Sequence, residues 1–479
     1  MDIFSKIILD KDKNKPIYIQ LYNEIRNMID KDILNSNGKL PSIRELSKLL
    51  RINSSTVVNA YRLLEEEGYV YKKLGSGTYV NKIYPQKKDQ NNDISLDILY
   101  DFTNITSNSD LFPVNDFKRL MNKVVDRDGG IAFDYQDSKG YLPLRNAIVC
   151  YLEELGIQVP LESIQIISGA QQGIDIISKT IVDYGDTVIT ESPTYSGALY
   201  SFKSRSAKIV EIPVDRDGID LINLEQKIKI LRPKIIYVMP IYQNPTGFSY
   251  SEETKISILK LAEKYDAYII EDDYISDIIF NNQRLKPLKS LDENNRVIYL
   301  KSFSKSFMPG IRLGFAILPI SLQHKFLLGK QFSDISTSGF IQRVFALYLK
   351  EGLWKDHIQK ISNIYNDKYN LTKEYIKKYK PVYLRYYRPS GGFNFWFSLP
   401  DGYSSQRLES YLKNNKILIY SGSRFYNDIY DIEYFRINIA SINKTNLEKG
   451  IIRLFELIDQ FIKDEKNRII NSSINNIGL

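Results

Sequence analysis

Residues 296–315, RVIYLKSFSKSFMPGIRLGF, hold the pattern that decides the fold. An apolar run typical of a buried strand passes directly into a polar turn, where Lys305 stands between Ser304 and Ser306. Arg312 follows seven residues after the lysine. A lysine flanked by hydroxyl groups, with an arginine close by, suits covalent capture of an aldehyde beside a site for a phosphate group.

Similar apolar runs precede this stretch, each separated from the next by enough chain for a turn or a helix. They are SIQIIS (163–168), DTVIT (186–190), AKIVEIP (207–213), KIIYVMP (234–240) and AYIIEDD (267–273). Short strands that alternate with helices predict a mostly parallel sheet with helices against its faces.

Four polar motifs lie at or just beyond the ends of these predicted strands. They are IISGAQQG (166–173), ESPTY (191–195), YQNPTG (242–247) and IIEDDY (269–274). Open α/β sheets bind their ligands at the carboxyl edge of the strands, so we expect these motifs to meet there with Lys305.

Changes in composition divide the 479 residues into four segments. Residues 1–82 predict short helices and then a hairpin, and the polar residues 83–100 predict a linker. Residues 101–330 carry the alternating strands and helices of the α/β main domain. Residues 331–479 predict long amphipathic helices and a smaller α+β C-terminal subdomain.

Composition excludes several classes of protein. Hydrophobic residues make up 43% and charged residues 25% of the chain, which is typical of a globular protein. Cys150 is the only cysteine, and His324 and His357 are the only histidines, so we expect no disulfide and no metal site. The N-terminus lacks the apolar core of a signal peptide, and no long apolar run predicts a membrane span. We therefore expect a cytoplasmic protein.

Residues 40–80 have the layout of a winged helix-turn-helix, in which two short helices meet through a brief turn and a β-hairpin follows. Ser42 and Glu45 predict a capping box on the first of these helices. Small polar residues at the start of the second helix suit phosphates and base edges, and glycines let the hairpin tip approach the DNA backbone. The expected DNA contacts are Arg44, Asn53, Ser54, Ser55, Thr56, Gly75 and Gly77. Alternatively, Asn53 or Thr56 does not contact DNA and acts only as a helix cap.

The charge of the chain is uneven. The formal net charge is +8, and residues 1–82 contain 14 basic and 10 acidic residues, a net of +4. A basic N-terminal segment is compatible with a DNA-binding surface. We expect the other half of the excess positive charge to be distributed over the rest of the chain, without local concentration.

Two family resemblances follow from these motifs. The stretches PSIREL (41–46), AYRLLEEEGY (60–69) and GSGTY (75–79) resemble the GntR family of bacterial regulators. The strand-end motifs and the Lys305 stretch resemble fold-type I pyridoxal-phosphate enzymes of the class I aminotransferase family, over about residues 100–465. The whole chain resembles MocR/GabR-type regulators, which join a winged helix-turn-helix to an aminotransferase-like sensor.

The resemblance implies pyridoxal 5'-phosphate as the cofactor, attached to Lys305 as a Schiff base. Asp272 would pair with the ring nitrogen, Tyr274 and Asn244 would bond the phenolic oxygen, and Tyr195 would stack on the ring. Arg436, in YFRINIA, would hold a substrate carboxylate.

The phosphate group would be held by the start of a helix and by nearby polar side chains. The expected residues are Gly169, Ala170, Gln171, Ser302, Ser304, Arg312 and, reaching over from a partner subunit, Tyr135.

The region that would face a substrate departs from the family pattern. Residues 102–113 read FTNITSNSDLFP where the family usually has Gly and Pro, and Ser138 stands where Pro is common. The leading hypothesis is a transcription regulator that senses the cofactor, or an amino acid or amine through an external aldimine, with weak or no transamination. We expect a head-to-tail homodimer on double-stranded DNA. The alternatives are an active aminotransferase with an accessory DNA-binding segment, and a store of pyridoxal phosphate.

Overall fold

The computed structural model describes residues 3–7, 9, 16–30, 33–34, 38–66, 69–73, 76–81, 98–428 and 431–477. The chain divides into two compact units, Met1–Ser95 and Leu96–Leu479. Within the described residues, none of the helices combines the length and the apolar character that a membrane crossing requires. Most of the predicted linker lies outside the described residues.

The first unit is a small helical body with a hairpin. Its elements are α1 (Ile17–Asp30), α2 (Ile43–Leu50), α3 (Ser54–Glu66), β1 (Val70–Lys73) and β2 (Gly77–Val80). The apolar side chains that recur at helical spacing form its core, which includes Leu21, Ile25, Leu46, Val57 and Leu64. The two strands pair antiparallel with Val70 opposite Val80.

The junction of α2 and α3 forms as the sequence predicts. The Ser42 side chain accepts a hydrogen bond from the Glu45 amide, and the Glu45 carboxylate accepts one from the Ser42 amide, which confirms the capping box. Arg51 ends α2 in the left-handed region, at φ 51°. Only residues 51–53 separate the helices, which gives the short turn of a helix-turn-helix.

The second unit begins with the elements of the α/β part. They are β3 (Tyr100–Asp101), α4 (Val114–Asp128), α5 (Leu142–Glu153), β4 (Ile164–Ile167), α6 (Ala170–Ile181), β5 (Thr187–Ser192), α7 (Ser196–Lys203), β6 (Lys208–Asp215), β7 (Gly218–Ile219), α8 (Leu221–Leu231), β8 (Ile235–Val238), α9 (Glu252–Lys264), β9 (Tyr268–Asp273), β10 (Val297–Ser302), β11 (Gly314–Ile317) and α10 (Ile320–Asp334).

The remaining elements follow from residue 339 onward. They are α11 (Gly339–Lys350), α12 (Leu353–Tyr379), β12 (Arg385–Tyr387), β13 (Asn394–Ser398), α13 (Ser405–Asn414), β14 (Ile417–Leu418), β15 (Tyr420–Ser421), β16 (Tyr434–Asn438) and α14 (Lys444–Ile477).

The large sheet has the strand order β4-β11-β10-β9-β8-β5-β6-β7. The pairs β10/β9, β9/β8, β8/β5 and β5/β6 are parallel. The strand β11 runs antiparallel to both of its neighbours because only residues 303–313 separate it from β10, which is too short for a crossover helix. Strands β8 and β10 are buried along their whole length, as expected for a sheet covered on both faces.

A second sheet of order β12-β13-β16-β15 forms the smaller subdomain. Two of the predicted domain boundaries fall inside elements of the structure. Tyr100, the last residue of the predicted linker, belongs to β3 and pairs with Ile417 of β14. The predicted boundary after residue 330 falls inside α10.

A buried ionic cluster ties β9 to β10. The ammonium group of Lys301, which is fully buried, lies 3.1 Å from an oxygen of Asp273 and 2.9 Å from one of Asp277. Tyr299 donates a hydrogen bond to Asp273, and Tyr151 donates one to Asp277. Each buried charge therefore has partners that offset its desolvation.

Lys301→Met removes the only cation of this cluster and leaves two buried carboxylates without a counter-charge. We expect the free energy of unfolding of the large unit to fall by about 3–5 kcal/mol, measured by urea denaturation. Lys264→Met, at the exposed pair with Glu225, is the control and should leave the denaturation midpoint nearly unchanged. Equal midpoints for the two variants would contradict a stabilising role for the cluster.

Candidate functional site

The carboxyl edge of the large sheet borders a cavity of about 670 Å³ that is partly open to solvent. Ten of the residues predicted to bind a cofactor line it together. The lining consists of Ile105, Ala170, Gln171, Tyr195, Met239, Asn244, Asp272, Tyr274, Ser302, Ser304, Lys305, Arg312, Asn394 and Asn438. The strand-end motifs thus come together, as their positions predict.

Asp272 is the acidic group of the cavity and is almost fully buried. One of its carboxylate oxygens accepts a hydrogen bond of 2.6 Å from Tyr237, and the other has no partner among the described residues. Burial raises the pKa of Asp272 to about 6, against the effect of the Tyr237 hydrogen bond. A buried carboxylate oxygen without a partner is costly, and a protonated ring nitrogen would satisfy it.

Lys305 is the nucleophile of the cavity. Burial lowers the pKa of its amine to about 8, and the positive charges of Arg312 and Arg436 act in the same direction. A larger unprotonated fraction at neutral pH makes the amine reactive towards carbonyl groups. The hydroxyl of Ser107 donates a hydrogen bond of 2.8 Å to the Lys305 carbonyl and so anchors the turn.

The start of α6 forms a cradle for an anion. Gly169 precedes the helix with φ +94°, and a Cβ there would lie 2.8 Å from a guanidinium nitrogen of Arg312. Arg312 donates hydrogen bonds to the Ser168 carbonyl at 2.9 Å and to the Ser304 hydroxyl at 3.4 Å. The first amides of a helix beside a guanidinium group and hydroxyls suit a phosphate.

Tyr195 and Gln171 form one wall of the cavity. The Tyr195 hydroxyl donates a hydrogen bond of 3.1 Å to the Gln171 side chain, which in turn donates to Ser201 at 2.9 Å. These bonds hold the phenol ring at the cavity wall, where a planar ligand could stack on it.

The hydrogen bonds of Tyr274 differ from the expected arrangement. Its hydroxyl donates its hydrogen to the Tyr242 carbonyl at 2.6 Å and accepts from Asn394 at 3.2 Å. In this arrangement the hydroxyl offers no hydrogen to a ligand oxygen. Asn244 accepts from Arg436 at 2.9 Å through its carbonyl oxygen, which leaves its amide group as a donor for the cavity.

Arg436 lies beside the cavity rather than in its lining. It is 2% exposed and lies between the rings of Tyr420 and Phe425, about 5 Å from each centroid. It also donates to the Thr103 carbonyl at 3.2 Å. Burial lowers the pKa of Arg436 to about 10, so the guanidinium group keeps its charge at neutral pH.

Tyr135 does not reach the cavity of its own chain, since its side chain is 79% exposed. This position is compatible with the expectation that it acts in a partner subunit.

Several residues of the site were not predicted from the sequence. Met239 follows β8 directly, so the rule about strand ends could have found it. Asn394 and Asn438 stand opposite each other on β13 and β16 and share a hydrogen bond of 2.7 Å. They come from the smaller subdomain, and no local motif marks them.

The predicted DNA contacts come from three elements: Arg44 lies in the first turn of α2, residues 53–56 lie at the start of α3, and Gly77 begins β2. Arg44, Asn53, Ser54 and Ser55 are exposed, and Thr56 is half-buried in the first turn of the helix. The backbone at Gly77 has φ +126°, which favours glycine. Gly75 lies outside the described residues.

Comparisons with known proteins divide the chain in the same way. The family model "Aminotransferase class I and II" matches residues 100–454, and "Bacterial regulatory proteins, gntR family" matches residues 17–80. These matches confirm the predicted winged helix-turn-helix, followed by an α/β domain of the aminotransferase type.

Two relatives that are described as regulators align with most of this chain. An uncharacterized HTH-type transcriptional regulator of Bacillus subtilis, YdfD, is 30% identical over 482 residues, which cover 94% of this chain and 98% of the relative. The probable rhizopine catabolism regulatory protein MocR of Rhizobium meliloti is 28% identical over 385 residues, 76% of this chain and 77% of the relative. The predicted MocR-type organisation is confirmed.

A solved structure resembles the large unit. It is LysN, the alpha-aminoadipate aminotransferase of Thermus thermophilus, in complex with N-(5'-phosphopyridoxyl)-L-leucine. The sequence identity is 27% and the TM-score 0.72, over 76% of this chain and 92% of that structure.

The lowered pKa of Lys305 can be measured directly. In cofactor-free protein, acetylation of Lys305 by acetic anhydride, quantified by mass spectrometry, should rise with pH to a midpoint of about 8. The amine of a model lysine peptide has a pKa of about 10.4, so it serves as the reference. A midpoint for Lys305 equal to that of the peptide would contradict the electrostatics of the cavity.

Proposed function

We propose that this chain, which belongs to the aminotransferase class I and II family and carries a gntR-family segment, is a transcription regulator controlled by a pyridoxal-phosphate site. The chain joins a segment of the gntR family of bacterial regulators to a domain of the aminotransferase family. DNA is the partner of the N-terminal segment, and pyridoxal 5'-phosphate is the cofactor of the large unit. The observation that carries the proposal is the unpaired oxygen of Asp272 in the same cavity as the Lys305 amine.

The residues of the cavity fit this cofactor. Lys305 would hold its aldehyde carbon, Asp272 its ring nitrogen, and Tyr195 one face of its ring. Asn244 would donate to its phenolic oxygen, whereas Tyr274 would act indirectly, through Asn394. The phosphate would be held by Gly169, Ala170, Gln171, Ser302, Ser304 and Arg312. When bound, the cofactor supplies an aldehyde that condenses with amines and a ring that withdraws electrons.

The protein groups have distinct tasks at this site. Asp272 would keep a proton on the ring nitrogen, because its free carboxylate oxygen is buried and has no hydrogen-bond partner among the described residues. Lys305 is partly unprotonated near neutral pH, so its amine would be available to condense with the aldehyde of the cofactor. Arg436 is placed beside Asn244 to attract the carboxylate of an amino acid towards the cavity.

We propose that an amino acid or amine is the signal. A ligand changes DNA binding only if it binds two conformations with different affinities. The cavity joins residues of the large sheet to Asn394 and Asn438 of the smaller sheet, so a ligand there contacts both parts of the large unit. Closing or opening of the smaller subdomain is the conformational difference that we expect the ligand to select.

A homodimer is part of this proposal. Two large apolar side chains near Tyr135 in sequence, Ile131 and Phe133, are each 67% exposed, and Phe332 on α10 is 90% exposed. Exposed apolar side chains of this size are typical of a surface that a partner covers. A head-to-tail dimer would bring Tyr135 to the partner's phosphate site.

An active aminotransferase is the second candidate. The presence of Lys305, Asp272 and Arg436 and the similarity of the large unit to LysN favour it. An assay with a panel of amino acids and 2-oxo acids separates the two functions. Turnover above about 1 per second is typical of an enzyme, whereas far slower turnover supports a sensor.

Lys305→Ala should abolish the visible absorbance band that the bound cofactor gives, since no other amine lines the cavity in the described structure. Absorbance spectra after addition of pyridoxal phosphate and gel filtration test this. Lys227→Ala, on the exposed face of α8, is the control and should keep the band. A band that persists in the Lys305 variant would overturn the assignment of the site.

Arg44→Ala should weaken binding to the upstream DNA of the chain's own gene, because the exposed guanidinium group is placed for phosphate or guanine. A loss of about 1–3 kcal/mol in binding free energy is expected if Arg44 contacts a base. Fluorescence anisotropy measures the affinity, and the cofactor spectrum should not change. Unchanged affinity of the variant would contradict the proposal that Arg44 belongs to the DNA-recognition surface. If footprinting of the wild type on this DNA shows no protected region, a store of pyridoxal phosphate is favoured instead.

A further inference from the structure

The positive charge of the large unit is concentrated in one short segment. Residues 370–388 contain six basic residues and one acidic residue, a net of +5. Residues 1–82 contribute +4 of the chain's +8, so the remaining 378 residues sum to −1. The expectation that the excess charge is spread thinly outside the N-terminal segment is therefore wrong.

The structure gathers these basic side chains around an open groove. It lies where the last turns of α12 meet β12 and has a volume of about 1190 Å³, including space open to solvent. We call it the basic groove. Its lining consists of Asn370, Lys373, Glu374, Ile376, Lys377, Lys380, Tyr386 and Arg388. Lys373 and Lys377 are one helical turn apart, and Arg388 approaches from the other side, just after β12.

The cations of the groove lack carboxylate partners. Within the described part of the chain, Lys373, Lys377, Lys380 and Arg388 form no ion pair, although basic residues elsewhere do, such as Lys123 with Glu351. Burial of its stem and the charge of Arg388 both lower the pKa of Lys373. Like charges are thus held close together without an ion pair among the described residues, and an anion in the groove would relieve their repulsion.

A purely structural role explains only part of this arrangement. Lys377 stands in the last turn of α12, where cations interact favourably with the helix dipole. Lys380 follows the end of α12 and donates a hydrogen bond to the Pro381 carbonyl at 2.9 Å. Neither argument applies to Arg388, beyond β12, or to Lys373, in the interior of the helix. The ammonium group of Lys373 lies 4.8 Å from the centroid of the Tyr369 ring, a contact that leaves its positive charge in place.

We propose that the basic groove binds the phosphate backbone of duplex DNA, as a second contact in addition to the winged helix-turn-helix. The groove is wide, and Lys377 and Arg388 on its rim are exposed, which suits a row of phosphates better than a small anion that needs an enclosed pocket. The inference rests on the proposed function, because a duplex must first be held by the N-terminal segment.

Connectivity favours DNA over a free phosphate compound. Sixteen residues, 82–97, join the described parts of the two units. A chain of that length spans at most about 55 Å, so DNA bound to the first unit is presented to the second at an effective concentration near the millimolar range. Contacts by Lys373, Lys377 and Arg388, each weak alone, become significant under these conditions.

The salt dependence of DNA binding tests the proposal. The variant combines Lys373→Gln, Lys377→Gln and Arg388→Gln in the full chain loaded with cofactor. The probe is a random-sequence duplex of about 60 base pairs, with affinity measured between about 50 and 300 mM KCl. Loss of three phosphate contacts should lower the slope of log affinity against log salt by about 2–3, with affinity about tenfold weaker or more at the middle of this range.

A charge-matched control combines Lys208→Gln, Lys227→Gln and Lys229→Gln, three exposed residues of the large unit outside the basic groove. It should keep the wild-type slope, and both variants should keep the cofactor spectrum and thermal midpoint of the wild type. A second groove variant, Arg388→Glu, should weaken binding further than Arg388→Gln does.

The outcomes separate this inference from the proposed function. If the wild type does not bind the duplex even at low salt, the proposed function fails and the inference with it. If the wild type binds and the groove variant has the same slope, only the inference is overturned. Binding of inorganic tripolyphosphate to the wild type and to the groove variant is measured as well. If the groove variant loses tripolyphosphate binding but keeps the wild-type salt slope for DNA, the groove binds free phosphates and not DNA, which overturns the inference.

Discussion

The parallel pairing of β5, β8, β9 and β10 is the constraint on which the rest of the large unit depends. It brings the carboxyl ends of these strands to one edge, so motifs far apart in sequence line a single cavity. The pairing of Leu300 with Asp272 and the buried contact of Lys301 with Asp273 set the register of β10 against β9. Because Lys305 follows β10 by only three residues, the same register determines the distance between the reactive amine and the acidic group.

The residues that line the cavity from the ends of strands could be predicted from the sequence. The residues that reach it through long-range packing could not. The strands, the capping box and ten of the cavity residues follow from local patterns. The antiparallel strand β11 follows from the length of the turn that precedes it, which is a geometric rather than a compositional signal. Asn394 and Asn438 meet only because β13 and β16 pair, and the Tyr242 carbonyl takes the hydrogen of Tyr274 only in the folded chain. No sequence motif indicates the pairing of Asn394 with Asn438 or the hydrogen bond of Tyr274.

Charge has a different role in each part of the chain. At the cavity there are few cations, and each has a defined position. Arg312 in the lining and Arg436 beside it both lower the pKa of Lys305, and each makes hydrogen bonds of its own. In the basic groove, by contrast, several cations lie close together without carboxylate partners among the described residues, and the N-terminal segment carries a net charge of +4. In our proposal the first pattern serves the binding of one small ligand, and the second serves attraction to a polyanion. A regulator needs both, and the two are coupled only if ligand binding changes the relative stability of conformations that differ in DNA affinity.

We propose that occupancy of the Lys305 cavity and DNA affinity are coupled. The most direct test follows cofactor absorbance and the anisotropy of fluorescently labelled upstream DNA in one sample, while pyridoxal phosphate and then individual amino acids and amines are added. We predict that at least one addition changes both signals with the same midpoint, and that the change in anisotropy is absent in the Lys305→Ala variant. DNA affinity that stays constant while the absorbance titrates would contradict the account.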